Sequence, residues 1–477
     1  MLSIGDRVKV GVDRGVVCYT GAVEGYSGDW VGIDWDDPLR GKHDGTLDGK
    51  VYFCARSAKS GSFVRPQAVS VGRNLLEEIE DKYVNNGPSD KIYGRINLHH
   101  TNLNVYKKQS NPWALKTIIV DGMRVASAPC KNCSPFTNCT ELNLHNNLLS
   151  RWCDLLDILS FFPSLRCLLA SCNHMERRME SVADDRVVTA PLHTLAFGEC
   201  CVDDETAKKI MYHFPYVRII YLDHNNIQTF DPGEFGQNLE SIDLEGNPIN
   251  DFSNLQFLST LPKLQSLNVA HCGFRDIRIP DNGFSSLSSL NISNNPMDNK
   301  LWVLELAKLP SLEKLNYTKN SIVDSGNDLN EIIISAIPQL RFLCHSEVTL
   351  QERSSAEIYF LNKYGVPPVA HEYKFIIERL VKIYGEPLNH PCASYGKIGL
   401  LKLKLSCGGQ VMERLFPDTM TVQRLIGIIS RLFRLDSRNI SLQSQDHSGS
   451  IMDLDKPLRS LSFYSLSDGD TICAIVA

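Results

Sequence analysis

Between residues 115 and 348 the apolar positions recur on one frame, Leu-x-x-Leu-x-Leu-x-x-Asn-x-Leu. It reads Leu239, Ile242, Leu244, Asn247, Ile249 in one place and Leu287, Leu290, Ile292, Asn295, Met297 in another. Units open at Leu115, Cys139, Leu165, Leu192, Val217, Leu239, Leu264, Leu287 and Leu312; a tenth opens at Leu340 and loses the pattern at His345. The steps are 22 to 28 residues, a period that belongs to stacked repeats rather than to one closed core. Each unit supplies one short strand that cannot bury its apolar edge alone, so stacking must make the core continuous. The expectation is an α/β repeat solenoid with a broad concave wall of strands.

The ninth frame position supports this independently. It is Asn147, Asn173, Cys200, Asn225, Asn247, Cys272, Asn295 and Asn320, with Met123 off-type in the first unit. A leucine-rich repeat turns its chain inward there, and a buried Asn amide satisfies backbone groups otherwise left unpaired. Charged, helix-patterned returns over 150–162, 203–214, 299–309 and 328–337 are expected on the convex side. A repeat wall is usually a protein-binding surface. The candidate contact strip is Tyr221, Asp223, Glu240, Asp243, Glu245 and Asn268, against the plainer reading of a solvated acidic face.

Residues 1–72 follow a different grammar, with short β-prone runs broken by glycines at 11, 21, 25, 28, 32, 41, 45, 49 and 61. This predicts a small β-barrel with tight turns. Gly41-Lys-His-Asp-Gly45, preceded by Trp30-Val-Gly-Ile-Asp-Trp-Asp-Asp37 and followed by Tyr52-Phe53 and Gly61-Ser-Phe-Val-Arg-Pro66, resembles a CAP-Gly domain. That resemblance implies binding of acidic tails ending in Glu-Glu-aromatic, as on α-tubulin and plus-end-tracking proteins. The implied site is Trp35, Gly41, Lys42, His43, Asp44, Gly45, Phe63 and Arg65. Loop N–H groups and the Lys42 ammonium would hold carboxylates, Trp35 and Phe63 the terminal ring, and Arg65 the terminal carboxylate. Trp30 is read as core. His43 replaces the Asn of the family's commonest loop. Residues 1–73 hold ten Lys and Arg against nine Asp and Glu, so selectivity for an acidic tail must be local, through Arg40, Lys42, Lys50 and Arg65.

Residues 73–114 read as a linker and N-terminal cap of the repeats. Two amphipathic stretches over 349–385, parted by Pro367-Pro368, read as a helical cap of the array, and 386–396 as a linker. Residues 397–477 give a hairpin, a helix, a strand, a short turn and a last strand after Asp468-Gly-Asp470. This order resembles an α+β ubiquitin-like β-grasp, with Leu403, Leu405, Val422, Leu425 and Ile429 as core. Lys402, Lys404, Arg414, Arg424 and Arg431 are expected outside, making the surface locally basic. The end at Ala477 without Gly-Gly argues against conjugation.

Net charge of −6 argues against a nucleic-acid binder. Asp6, Arg7 and Lys9 stand where a signal peptide needs an apolar run, and no stretch approaches 18 apolar residues. The 15 cysteines form no small disulfide framework. Cys130, Cys133 and Cys139 are the only metal-like spacing, with His145 the nearest fourth ligand. Cys139 already fills a repeat position, so no metal or other cofactor is expected. No phosphate loop, His-Glu-x-x-His or nucleophile elbow is present, and an enzyme is not expected.

The order of the three modules resembles the tubulin-folding cofactor E family across essentially the whole chain, as do His43 in its loop and the Glu352-Arg-x-x-Ala356-Glu segment. That resemblance implies a cytosolic, cytoskeleton-associated chaperone. It would capture α-tubulin from cofactor B, join cofactor D carrying β-tubulin, and with cofactor C release the αβ heterodimer, or dissociate heterodimers with cofactor B. GTP hydrolysis in that cycle belongs to tubulin. Two other readings stay open: a microtubule-tracking protein, and an adaptor whose ubiquitin-like domain meets a proteasomal ubiquitin receptor.

Overall fold

The computed structural model describes residues 2–85, 111–179, 182–183, 186–297, 300–318, 320, 328–365, 371–387, 400–408, 410–433, 440–446, 449–464 and 466–476. The chain forms two compact units, Met1–Arg353 and Ser354–Ala477.

In the first unit the glycine-rich module is a five-stranded antiparallel sheet. Tyr26–Trp35 lies between Gly61–Val64 and Asp13–Val23, and Arg7–Val10 follows, edged by Ser70–Val71. Val8, Val17, Val31, Ile33 and Trp35 form its core. The segment read as a linker begins with structure. Arg73–Asn74 pairs in parallel with Val125–Ser127, and Asn74 caps the helix Leu75–Glu80 by accepting from Glu77 N. Residues 86–110 of that segment lie outside the described residues.

The repeats build an eleven-stranded sheet in sequence order, from Thr117–Ile119 to Phe342–Leu343 and a final antiparallel Ser346–Glu347. The middle residue of each strand, such as Ile118, Leu142, Ile220 and Leu290, is buried in the continuous core. The asparagines act as read from the frame. Asn173 Nδ2 donates to Leu144 O of the preceding unit and to Ala170 O of its own, both at 2.9 Å. Its Oδ1 accepts from Asn147 N at 3.2 Å and Leu149 N at 3.3 Å. Cys200 and Cys272 keep only the donor half, Sγ reaching Ala170 O and Leu244 O at 3.3 Å. Where it is among the described residues, the residue before a ladder position takes a left-handed conformation, for example Asn146 at φ 55°, Cys172 at 58° and His224 at 51°. Helical returns appear at Trp152–Leu159, Asp204–His213, Trp302–Leu306 and Leu329–Ala336, each shorter than its patterned stretch.

The module and the repeats are joined by specific bonds. Lys9 Nζ donates to Gly122 O at 2.6 Å, and Arg56 Nη1 to His174 Nε2 at 3.2 Å. Arg56 also holds Asp34 Oδ2 at 2.8 Å and Trp35 O at 2.9 Å.

In the second unit Tyr373, just ahead of the helix Lys374–Tyr384, packs against Phe360 of the helix Leu350–Tyr364, whose residues from Ser354 onward belong to this unit, and Tyr384 OH donates to Glu357. Pro367, Pro368 and the linker expected over 386–396, apart from residues 386 and 387, lie outside the described residues. The C-terminal sheet is mixed. Leu400–Cys407 pairs antiparallel with Gln410–Pro417 and parallel with Thr471–Val476, which pairs antiparallel with Ile440–Gln445; Ile451–Asp453 forms the edge. The helix Val422–Phe433 packs on it with Leu403, Leu405, Val422, Leu425 and Ile429 all in the core. Lys402, Lys404, Arg414, Arg424 and Arg431 are exposed, although Lys402 pairs with Glu413 at 3.0 Å.

Candidate peptide groove and strand face

Two glycines let the loop close. A Cβ on Gly41 would lie 2.4 Å from Gly61 O, and one on Gly45, at φ +102°, would lie 2.0 Å from Phe53 O. Without them the backbones approach: Lys42 N and His43 N donate to Gly61 O at 2.8 and 3.2 Å, and Gly61 N returns a bond to His43 O at 2.7 Å. Asp44 accepts from Thr46 N at 2.9 Å, and that bond holds its carboxyl below the usual range. Its carboxylate stays exposed and shapes the turn.

His43 is tied to the loop by its side chain. Gly45 N donates to its Nδ1 at 3.0 Å, so Nδ1 is an acceptor and a neutral ring carries its proton on Nε2. Partial burial lowers the pKa from 6.5, with Asp44 opposing, so the ring is neutral at pH 7. It lies 5.2 Å from Phe63 and 6.0 Å from Phe53, centroid to centroid. Phe63 also contacts Tyr19, Tyr52 and Phe53 edge-on. Tyr19, Tyr52 and Phe53 are the aromatics that sequence reasoning left out of the site. Tyr52-Phe53, just after the loop, carried the signal; nothing pointed to Tyr19.

Trp35 has to be withdrawn from the groove. It is fully buried in the sheet core, with the Arg40 guanidinium 4.8 Å from its ring centroid, so it offers no surface to a ligand ring. Trp30 is corrected the other way. It is half-buried, stands outside that core and carries the Arg65 guanidinium 3.7 Å from its ring centroid. Arg65 is engaged there, and its Nη1 donates to Ser27 O at 2.7 Å. Arg40 pairs with Asp13, and Lys50 with Glu24 at 3.2 Å. Of the four local cations, Arg40 and Lys50 are ion-paired and Arg65 is held by Ser27 O and the Trp30 ring, which leaves Lys42 as the exposed one with no side-chain partner among the described residues.

On the repeat sheet, Tyr221, Asp243 and Asn268 share one register row. Asn268 Nδ2 donates to both Asp243 Oδ2 and Glu245 Oε2 at 3.0 Å, joining three of the six strip residues. Asp223 lies two residues beyond its strand, its carboxylate filling the space a Cβ on Gly198 would enter at 2.5 Å. Burial raises its pKa, and Asp243 adds to the rise. Glu240 is not in that row: it precedes its strand and pairs with Arg218 at 3.5 Å.

Cys139 is buried, its Sγ reaching Glu141 O at 3.2 Å, while Cys130 is exposed. Among the described residues no group of three His, Cys, Asp or Glu side chains is placed to hold a metal, and no helix is long and apolar enough to cross a membrane.

Comparison with known proteins bears on the chain as a whole. The CAP-Gly domain model matches residues 4–69, and a leucine rich repeat model matches 212–274. A tubulin-specific chaperone E from Mus musculus is 30% identical over 529 residues, covering 98% of this chain and 98% of that protein. This chain belongs to the tubulin-specific chaperone E family. The Drosophila melanogaster member is 28% identical, covering 98% of this chain and 97% of its own. The solution structure of the C-terminal ubiquitin-like domain of mouse tubulin-specific chaperone e is also similar. It shows 31% identity over 18% of this chain and 95% of that one, with a TM-score of 0.16. For a member of this family, the Gly41–Gly45 loop with His43, Phe63 and Lys42 lies inside the matched CAP-Gly region.

Proposed function

We propose that this protein is a non-catalytic tubulin chaperone that captures α-tubulin at two places, tail and body. With tubulin cofactors B, C and D it assembles the αβ heterodimer or takes it apart, in the cytoplasm and at the cytoskeleton. One observation carries the tail contact: a neutral His43 sets its ring against the Phe63 aromatic cluster, and the exposed Lys42, unpaired among the described residues, is its neighbour in the loop. An acidic tail ending in an aromatic residue needs those three things. Lys42 meets a side-chain carboxylate, His43 Nε2–H donates to the terminal carboxylate, and Phe63, Tyr19 and Tyr52 receive the ring. Gly41, Asp44 and Gly45 keep the loop in the shape that presents them.

The body contact falls on the strand face, taken as the concave side of a solenoid, with Asp243, Glu245 and Asn268 at its centre. Because the CAP-Gly module is bonded to the repeats through Lys9 and Arg56, a tail held in the groove raises the effective concentration of the body at that face. The C-terminal domain has a docking role of its own, since Leu400, Leu415 and Ile475 lie exposed on its strands. Its partner is another tubulin cofactor or, on the alternative reading, a proteasomal ubiquitin receptor.

Calorimetric titration of the full chain with a peptide ending in Glu-Glu-Tyr, and with the same peptide lacking Tyr, tests the tail contact. Clear loss of affinity without Tyr is expected; equal affinities would remove the groove assignment. Recovery of polymerised microtubules, rather than α-tubulin with cofactor B, in a cytosolic pull-down would favour a tracking role instead.

A further inference from the structure

The strand face changes character along the array. Its middle is acidic, with Asp243 and Glu245 bridged by Asn268. Beyond that, Ser266 and Ser289 align in one row and Asn268, Asn291 and Asn316 in the next, so the surface becomes uncharged. It then ends in a cation. Lys314 stands opposite Phe342 in register, its ammonium 5.6 Å from the ring centroid. Lys314, Phe342, Asn291, Asn316 and His345 line a groove of about 300 Å³.

Three features make this groove more than a gap between strands. Lys314 is exposed and has no ion pair among the described residues, because the adjacent Glu313 turns to Arg341 at 3.6 Å. Asn291 Oδ1 accepts from Ser293 N and Oγ at 3.1 and 2.7 Å, and its Nδ2 has no protein acceptor among the described residues. Phe342 is 38% exposed, a large area for an aromatic on a strand.

We propose that this groove is a carboxylate-binding subsite. It would take a surface loop of the tubulin body in which Asp or Glu adjoins an aromatic or large apolar residue. The Lys314 ammonium and the Asn291 amide supply donors for the two carboxylate oxygens, and the Phe342 face covers the neighbouring side chain. The acidic pair Asp243 and Glu245 repels such a segment from the middle of the wall and attracts a basic residue of the same loop. Asp243 and Lys314 are three strands apart and offset by two residues along them, about 16 Å in all, so complementary charges at that separation fix the direction in which the loop lies. The inference rests on the reading that the chain holds the tubulin body as well as its tail.

The experiment uses the full chain and αβ-tubulin whose C-terminal tails have been removed by limited proteolysis. Binding is read by biolayer interferometry, and a Glu-Glu-Tyr peptide is titrated in parallel. Wild type is expected to bind tail-less tubulin, Lys314→Glu to weaken it about tenfold, Phe342→Ala several-fold, and Lys314→Arg about twofold at most. Peptide affinity and melting temperature should be unchanged in all three variants. Wild-type-like binding by Lys314→Glu would overturn the subsite, and so would failure of wild type to bind tail-less tubulin. The peptide arm reports on the tail groove separately, so loss of one contact is not mistaken for loss of the other.

Discussion

Gly45 N donates to His43 Nδ1 across 3.0 Å, and through that bond a backbone amide decides the state of a side chain in the proposed groove. The bond needs an unprotonated Nδ1, and burial pushes the His43 pKa below 6.5 in the same direction. NMR titration should place the His43 pKa below 6.5, and the Gly45 amide shift should follow the same curve. Independent titration of the two would mean that the bond does not form in solution. His43→Asn keeps an acceptor in this place and should retain tail-peptide affinity within about threefold, whereas His43→Ala should cost about 1 kcal/mol.

Trp35 and Phe63 should separate cleanly. Trp35 is fully buried, so Trp35→Ala should destabilise the CAP-Gly module by about 3–5 kcal/mol. Phe63 is only half-buried. Phe63→Leu should leave most of the stability and lower tail-peptide affinity, as read by paired denaturant melts and calorimetry.

Removing one ladder amide should be expensive. Asn173→Ala leaves Asn147 N, Leu149 N, Leu144 O and Ala170 O without that side chain. A loss of about 3 kcal/mol is expected, measured by urea unfolding. Asn173→Cys should recover part of it, because Cys200 and Cys272 already supply the donor half in their own units.

The seam between module and repeats should weaken in acid. Burial first, then Arg7, lowers the His174 pKa from 6.5, and Arg56 Nη1 donates to its Nε2. A lowered folded-state value means the unfolded chain binds the extra proton. His174 therefore contributes stability above pH 6.5 that is lost as pH falls through its folded value. Urea melts at about pH 7.5 and pH 5.5 should show this loss, and His174→Gln should flatten it. An unchanged profile in the variant would place the acid sensitivity elsewhere, with His43 the next group to examine.

Much of this architecture was legible because periodicity is written directly into residue type. A strand that buries alternate residues and an Asn that must serve backbone on both sides leave the same mark in every unit. The roles of Ile242, Leu290 and Asn247 are therefore written in the repeat frame itself, and the glycines of 41–45 mark a backbone approach that only a missing Cβ permits. What sequence could not carry was the direction and engagement of individual side chains. Trp35 and Trp30 sit in one motif, yet the sheet turns the first into the core and leaves the second half-exposed under Arg65. Arg40, Lys50 and Arg65 look as free as Lys42 until folding brings Asp13, Glu24 and Ser27 O to them. Glu240 and Asp243 are three residues apart, but only Asp243 stands in the strand row that meets Asn268. Local pattern determines which backbone forms, because the rules of strand, turn and repeat act over a few residues. Which charges remain unspent, and which aromatics face solvent, depends on partners far away in the chain, and only the tertiary structure brings them together.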